Sequence, residues 1–181
     1  MKMKLTLLLV AVIIAFTIAC NNHKEEMKAA IKTALKTVTT SIDSGKLDNY
    51  AATHADSLML AYVAKFPKDT LTPDLMLKTS QLYQMQRNYS EATKLLDKLV
   101  SDYPDSKAAP IGLYLNGFIF ENNEGALDKA KTRYELFLKK YPNNDLAASV
   151  KTSLDNLGKA PEDIIKGFEN KNQTDTAKIP S

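Results

Sequence analysis

The sequence predicts an all-α protein, a right-handed α-solenoid of antiparallel helix hairpins with about seven to eight helices. Three observations support this fold class. Apolar residues recur at intervals of three and four, the helical period, through most of the chain. No stretch shows a sustained alternation of apolar and polar residues, so no strand is predicted. An aromatic residue followed by proline recurs at a nearly constant spacing, which indicates a repeated unit.

Start and stop signals place the helices in order. The predicted helices span about residues 24–43, 47–65, 72–87, 90–102, 106–120, 125 or 126 to 140, 144–158 and 161–168. Gly45 follows the first apolar stripe, where a left-handed residue closes a helix. Thr72 is expected to be an N-cap with Pro73 at the first helical position. Ser106 and Asn144 are expected to cap later helices in the same way.

The aromatic–proline pairs indicate a repeated helix hairpin. They are Phe66-Pro67, Tyr103-Pro104 and Tyr141-Pro142, at spacings of 37 and 38 residues. Ala92 and Ala130 each lie twelve residues before the second and third prolines. A small side chain there lets two helices approach closely, and the proline ends the second helix of the hairpin.

These recurring positions resemble the tetratricopeptide repeat, in which helix A carries large-x-x-Leu-Gly-x-x-Tyr and helix B carries Ala-x-x-x-Phe with a closing Pro. The matching residues are Met76, Thr79, Ser80, Tyr83, Ala92, Leu96, Leu99 and Pro104 in one repeat, and Leu113, Asn116, Gly117, Phe120, Ala130, Tyr134, Phe137 and Pro142 in the next. Both repeats exceed the usual 34 residues, and Thr79-Ser80 replaces the Leu-Gly pair. Apolar helical spacing alone would also fit a bundle without repeats, but the positions in register favour the solenoid.

The N-terminus is typical of a secretory signal. Lys2 and Lys4 precede an apolar run over residues 5–19, which is shorter than the roughly 20 residues that a membrane span needs. Cys20, the one cysteine of the chain, follows Ala19. This boundary resembles the bacterial lipoprotein signal, whose cysteine is lipidated and becomes the mature N-terminus. Cys20 is therefore the predicted lipid attachment site; cleavage without lipidation and an uncleaved anchor are the alternatives.

Four regions are predicted. Residues 1–19 are the lipoprotein signal peptide, and residues 20–69 are a lipid-anchored segment with a degenerate helix pair whose second helix is overlong. Residues 70–169 hold the tetratricopeptide-like repeats and C-terminal capping helices. Residues 170–181 are expected to be a disordered tail, because they are polar and lack an apolar stripe.

Composition and charge exclude several function classes. Without Lys2 and Lys4, the chain carries 22 basic and 21 acidic residues, and its two arginines are Arg87 and Arg133. A clustered basic face for nucleic acid is therefore not expected. One cysteine and two histidines are too few for a thiolate or imidazole metal site, so no metal and no cofactor are predicted.

The sequence offers little catalytic chemistry. No phosphate-binding loop, dinucleotide fingerprint, zinc-protease motif or nucleophile elbow is present. His54 has no evident nucleophile or orienting partner, and a lone helical histidine is more often a surface or packing residue. Glu162 and Asp163 follow Pro161, where carboxylates favour a helix N-terminus. The chain is therefore not expected to be an enzyme.

The resemblance implies instead that helix A side chains on a concave surface contact peptides or helices. The corresponding residues are Leu77, Gln81, Gln84 and Met85 in one repeat, and Tyr114, Phe118, Glu121 and Asn122 in the next. Residues 111–120 are apolar almost all the way round the helix, so Tyr114 and Phe118 remain on a third face after two faces pack. Either they line a binding groove, or the predicted helix over residues 47–65 covers them.

Signal and repeats together resemble the envelope lipoproteins of the outer-membrane assembly and Tol–Pal type. The resemblance implies a lipid-anchored adaptor in the bacterial cell envelope, at the outer membrane and facing the periplasm, with a protein or peptide partner. Exposure at the cell surface instead of the periplasm is left open by the sequence. An accessory ligand-binding lipoprotein of a nutrient or polymer uptake system is the alternative function.

Overall fold

The computed structural model describes residues 2–160 with Glu162 and Asp163, and the side chains from residue 22 onward. Seven helices and no strand occur within these residues. The helices are α1 (Lys2–Asp43), α2 (Asn49–Lys65), α3 (Thr72–Met85), α4 (Tyr89–Asp102), α5 (Ala108–Asn122), α6 (Leu127–Lys140) and α7 (Ala147–Asn156). The predicted fold class, an all-helical α-solenoid of repeated hairpins, is confirmed.

The chain forms two compact units, unit 1 (Met1–Asn88) and unit 2 (Tyr89–Ser181). In unit 1, α2 packs against both α1 and α3. In unit 2, α5 packs against both α4 and α6, and α7 packs against α6. Within each unit, helices adjacent in sequence therefore pack against each other, which is the pattern expected of a repeat protein.

The first helix is longer than predicted. It is continuous from Lys2 to Asp43, whereas the sequence placed its start at Lys24. The backbone of the predicted signal segment thus enters unit 1 without an intervening turn. The side chain of Cys20 and those of the apolar segment lie outside the described side chains, so lipidation stays a prediction. Within the described part of the chain, no helix is both long and apolar enough to cross a membrane.

The core of unit 1 is built mainly from small and aliphatic side chains, with one buried tyrosine. Buried members are Ile31, Ala34 and Val38 of α1, Ala51, Ala52, Ala55, Met59 and Tyr62 of α2, and Leu75 and Leu82 of α3. The alanines of α2 allow close approach between helices because they add little volume. With 17 residues, α2 is longer than the 14-residue α4 and α6, so the overlong second helix of the first pair is confirmed.

The core of unit 2 is more aromatic and depends on a glycine. Its buried members are Val100, Leu113, Phe120, Ala130, Tyr134, Phe137 and Val150. A Cβ atom added to Gly117 would lie 2.5 Å from a ring carbon of Tyr134. The glycine therefore lets the Tyr134 ring pack directly on the backbone of α5. Ala92 and Ala130 are both fully buried, as predicted.

The three aromatic–proline turns share one backbone hydrogen-bond pattern. In each turn, the N–H of the aromatic residue donates to the carbonyl four residues earlier. The N–H three residues after the aromatic residue donates back to the carbonyl of that aromatic residue. The N–H six residues after it donates to the carbonyl of the residue midway between them. The residues are Phe66, Asp69 and Thr72; Tyr103, Ser106 and Ala109; and Tyr141, Asn144 and Ala147. All nine donor–acceptor distances lie between 2.8 and 3.2 Å. The turn that follows the α1–α2 pair therefore has the same backbone structure as the turns that follow α4 and α6.

The predicted N-caps lie in these turns, with geometry that differs from the prediction. Thr72 is already helical, and its hydroxyl donates to the carbonyl of Phe66 at 2.6 Å. Ser106 Oγ accepts the N–H of Ala109 at 3.2 Å, and Asn144 Oδ1 accepts the N–H of Leu146 at 3.0 Å. Ser106 and Asn144 therefore lie in the turn before their helices, whereas Thr72 is the first residue of α3, so none of the three occupies the predicted N-cap position.

Two further boundaries bear on the predictions. Helix α3 ends at Met85, because Arg87 has a φ of 62°, a left-handed conformation that stops the helix. Of the predicted helix over residues 161–168, only Glu162 and Asp163 are described, and both are helical. The predicted disordered tail lies outside the described residues.

Candidate functional site

One face of α5 carries exposed apolar side chains. Ile111 is 42% exposed and Phe118 is 40% exposed, and Leu115 between them is half-buried. Spacings of four and three place these three residues on one side of the helix. The rest of α5 is tightly packed, because it contacts both α4 and α6. We call the side formed by Ile111, Leu115 and Phe118 the α5 face.

Tyr114 and Phe118, predicted as a pair, have different environments. Tyr114 is half-buried and packs against the core of unit 2, with its ring centroid 6.0 Å from that of Tyr134. Phe118 presents its ring to the surface. Of the two aromatic residues, Phe118 is therefore the one whose ring is accessible on the α5 face, whereas Tyr114 belongs to the core side of the helix.

Glu121 has a structural contact at the end of α5. The hydroxyl of Tyr134 donates to its carboxylate at 2.6 Å. Burial of the ring raises the pKa of Tyr134, and the hydrogen bond to Glu121 raises it further, since both favour the protonated phenol. The carboxylate thus fixes a core tyrosine. Asn122 is exposed, and its amide donates to the carbonyl of Phe118 at 3.1 Å.

The predicted contact residues of α3 are also divided. Leu77 is buried, whereas Gln81 is exposed and Gln84 is half-buried. Met85 is 48% exposed at the end of the helix. It lines an open depression of about 310 Å³ with Ile42, Gly45, Lys46 and Leu47. Of the four predicted contact residues on α3, Gln81 and Met85 are therefore the exposed ones.

A polar network that the sequence did not reveal joins three helices of unit 2. The Asn116 amide donates to Asp97 Oδ1 at 2.8 Å and to the carbonyl of Thr93 at 3.3 Å. Arg133 donates to Asp97 Oδ2 at 2.8 Å, and its guanidinium lies 5.7 Å from the ring centre of Phe120. Asn116 occupies the Leu position of the repeat motif. A polar residue at a buried motif position is the signal that could have predicted a partner.

The titratable groups do not form a catalytic arrangement among the described residues. Asp56 is buried on α2, and burial raises its pKa to about 6, although a hydrogen bond from Gln86 at 3.2 Å opposes the shift. The side chain of His54, two residues earlier, is exposed. Across the described part of the chain, no group of three or more His, Cys, Asp or Glu side chains could hold a metal ion.

Comparison with known proteins identifies the repeats. Residues 74–106 and 113–144 each match the family model of the tetratricopeptide repeat. No curated protein matches the chain. The tetratricopeptide-repeat family is generally non-catalytic and its repeats bind protein partners. The chain thus contains two tetratricopeptide repeats, which indicate a scaffold for protein–protein interaction.

Proposed function

We propose that this protein is a lipid-anchored tetratricopeptide-repeat adaptor in the bacterial cell envelope. Cys20 carries the lipid, and the mature chain faces the periplasm from the outer membrane. There it holds a protein partner, in outer-membrane protein assembly or envelope organisation. In this proposal the N-terminal segment anchors the protein to the membrane, and the repeats bind the partner.

The observation that carries the proposal is the α5 face. Ile111 and Phe118 leave about two-fifths of their area exposed on a helix that packs against two others. Large apolar side chains exposed together are typical of interaction sites, and aromatic anchors dominate interface free energies. Because Phe118 lies on a helix, its backbone does not have to become ordered when a partner binds.

The other predicted contact residues then take different roles. Asn122 lies one turn beyond Phe118 and offers its exposed amide to a partner backbone. Glu121 acts indirectly, because its carboxylate holds the Tyr134 ring on which Tyr114 packs. In unit 1, Gln81 and Met85 offer a second accessible surface on α3.

The binding proposal is tested by crosslinking in cells followed by mass spectrometry of the captured partner. Phe118→Ala should abolish recovery of a partner that the wild-type chain recovers. Leu127→Ala is the matched control, because Leu127 is 41% exposed on α6 but lies off the α5 face. Circular dichroism should show the same helicity for both variants. Equal recovery from the two variants would remove the α5 face as the binding surface.

The anchoring proposal is tested separately by fatty-acid labelling. Cys20→Ala should abolish both incorporation of the label and cleavage of the signal, because the thiol is the nucleophile that takes the diacylglyceryl group. Asn21→Ala is the control and should keep both. A Cys20→Ala chain that still incorporates the label would exclude this attachment site. Fractionation of the labelled chain then distinguishes the inner from the outer membrane.

A further inference from the structure

We propose that one end of unit 1 docks on anionic phospholipid headgroups and so fixes the orientation of the protein on its membrane. This basic end consists of Lys24 on α1 and of Lys65, Phe66, Pro67, Lys68 and Asp69 in the turn after α2, which together line an open depression of about 390 Å³. The inference rests on the proposed anchoring at the N-terminus, and it adds a contact surface to that anchor.

The geometry of α1 brings the basic end to the anchor. Helix α1 is continuous through residue 20, and Lys24 lies one helical turn beyond it, roughly 6 Å along the axis. The Lys24 ammonium forms an ion pair with Asp69 in the turn after α2. An anchor at Cys20 therefore has no flexible linker, and the 65–69 turn lies at the same end of unit 1 as the anchor.

Two acidic groups at this end, Asp69 and Glu25, already have cationic partners. Asp69 pairs with Lys24 and also accepts the N–H of Leu71. On α1, Glu25 pairs with Lys28 at 2.9 Å, and Glu26 lies 3.7 Å from His23.

Two ammonium groups are left over. Among the described residues, neither Lys65 nor Lys68 has a carboxylate within 4.0 Å, and Lys65 lies 6.0 Å from the ring centre of Phe66. Headgroup phosphates supply the missing anions, since each lysine near an anionic membrane contributes about 1 kcal/mol of attraction.

The lysines are not required by the fold of the turn. All three aromatic–proline turns have the same backbone hydrogen bonds. At the two positions held by Lys65 and Lys68, the second turn carries Asp102 and Asp105, and the third carries Lys140 and Asn143. Only the turn beside the proposed anchor has lysine at both positions. The positive charge of this turn is therefore better explained by an anionic surface that the basic end contacts than by the local structure of the turn.

The experiment uses the absence of tryptophan from the chain. Phe66→Trp places a single fluorophore in the basic end, and Tyr50→Trp places one at the start of α2, about 24 Å away along the helix axis, as the matched control. The full-length chain is reconstituted into vesicles of phosphatidylcholine with or without 30% phosphatidylglycerol. We expect the fluorescence emission of Trp at position 66 to shift to the blue and to be quenched by brominated lipid. Both effects should require phosphatidylglycerol and should weaken as the salt concentration rises. Position 50 should show neither effect.

Paired substitutions then test the lysines. In the Phe66→Trp chain, Lys65→Gln with Lys68→Gln should weaken docking about 30-fold, at roughly fivefold per lysine, and should abolish the phosphatidylglycerol-dependent shift. Lys32→Gln with Lys36→Gln removes the same charge from exposed positions further along α1 and should leave the shift intact.

The outcomes separate the two proposals. A chain that floats with the vesicles but shows equal quenching at positions 66 and 50, or quenching independent of phosphatidylglycerol, overturns the docking inference alone. A chain that fails to float with any vesicle overturns the anchor and the docking together. Loss of the fatty-acid label with retained docking overturns only the lipid, because the uncleaved apolar segment would then be the anchor.

Discussion

The helix pairs α1–α2 in unit 1 and α5–α6 in unit 2 end in the same turn but are packed by different side chains. In the α5–α6 pair, the Tyr134 ring rests on the backbone of Gly117. In the α1–α2 pair, the alanines of α2 meet the aliphatic side chains of α1. The family model matches residues 113–144 but not the first pair. The aromatic–proline turn therefore does not depend on which side chains pack between the two helices that precede it.

One carboxylate in each unit forms side-chain hydrogen bonds between helices or turns, but Asp97 of unit 2 is exposed and Asp56 of unit 1 is buried. In unit 2, both oxygens of Asp97 are hydrogen-bonded, to Asn116 and Arg133. In unit 1, one oxygen of Asp56 accepts from Gln86, and the other has no hydrogen-bond partner in the described structure. A buried, partly unsatisfied carboxylate costs stability, whereas a satisfied one joins helices. Unit 1 should therefore be the more readily stabilised by substitution.

The largest expected effect tests whether the α5–α6 interface is as tight as the buried glycine contact implies. Ala130→Phe should lower the free energy of unfolding by about 3 kcal/mol, because a ring added at a fully buried position forces neighbours apart. Chemical denaturation followed by circular dichroism measures the loss. Lys131→Phe, at the exposed neighbouring position, should change stability by less than about 0.5 kcal/mol. Equal stability of the Ala130→Phe chain would contradict the repeat register.

A smaller effect separates two glycines of α5. Gly117→Ala should cost about 2 kcal/mol, although alanine gains about 1 kcal/mol of helix propensity, because its Cβ meets a ring that Glu121 holds in place. Gly112→Ala is the matched change. Its Cβ would meet a methyl group of Leu99 at 2.8 Å, which a leucine side chain can withdraw. Denaturation midpoints that fall equally in both variants would show that the rigidity of Tyr134 is not decisive.

The helices and turns of both units could be predicted from the sequence, whereas most contacts between helices could not. Helix period and the aromatic–proline pairs predicted the helices and the turns, because both depend on local backbone chemistry. The buried state of Ala130 followed from its spacing to the proline. The contacts of Asp97 with Arg133 and of Tyr134 with Glu121 could not be predicted, since they depend on which helix faces meet.

The site was predicted less completely than the fold. The resemblance treated Leu77 and Phe118 alike, yet Leu77 is buried and Phe118 is exposed. Motif positions describe an average repeat, and these repeats are longer than average. Equivalent positions nevertheless agree between the two repeats, since Gln81 and Phe118 are both exposed, whereas Leu77 is buried and Tyr114 is half-buried.

A third prediction addresses the buried carboxylate of unit 1. Burial raises the pKa of Asp56 from 3.8 to about 6, so the folded chain binds more protons than the unfolded chain between these values. Stability should therefore fall as pH rises from about 4 to 6, and the penalty persists at pH 7. Asp56→Asn should raise the free energy of unfolding at pH 7 by about 1 kcal/mol. This gain is below the roughly 3 kcal/mol that the full shift would give, because asparagine is also polar.

Urea denaturation across pH 4 to 7 measures this effect. The difference between Asp56→Asn and wild type should grow with pH over that range. Asp48→Asn is the control, because that carboxylate lies exposed at the N-cap of α2 and asparagine caps equally well. A constant difference between the Asp56→Asn and wild-type curves would mean that Asp56 does not titrate in this range.

The smallest expected effect concerns the α5 face, where Tyr114 and Phe118 have different environments. Phe118→Ala should change the free energy of unfolding by about 0.5 kcal/mol or less, because a ring that is 40% exposed leaves no closed cavity when it is removed. Tyr114→Ala should cost more, roughly 1–3 kcal/mol, since its ring packs on Tyr134. Both values come from denaturation of the full chain. If removing Phe118 cost as much as removing Tyr114, Phe118 would belong to the core. Failure of Phe118→Ala to recover the partner in the crosslinking experiment would then reflect unfolding of the protein and not the absence of a direct contact.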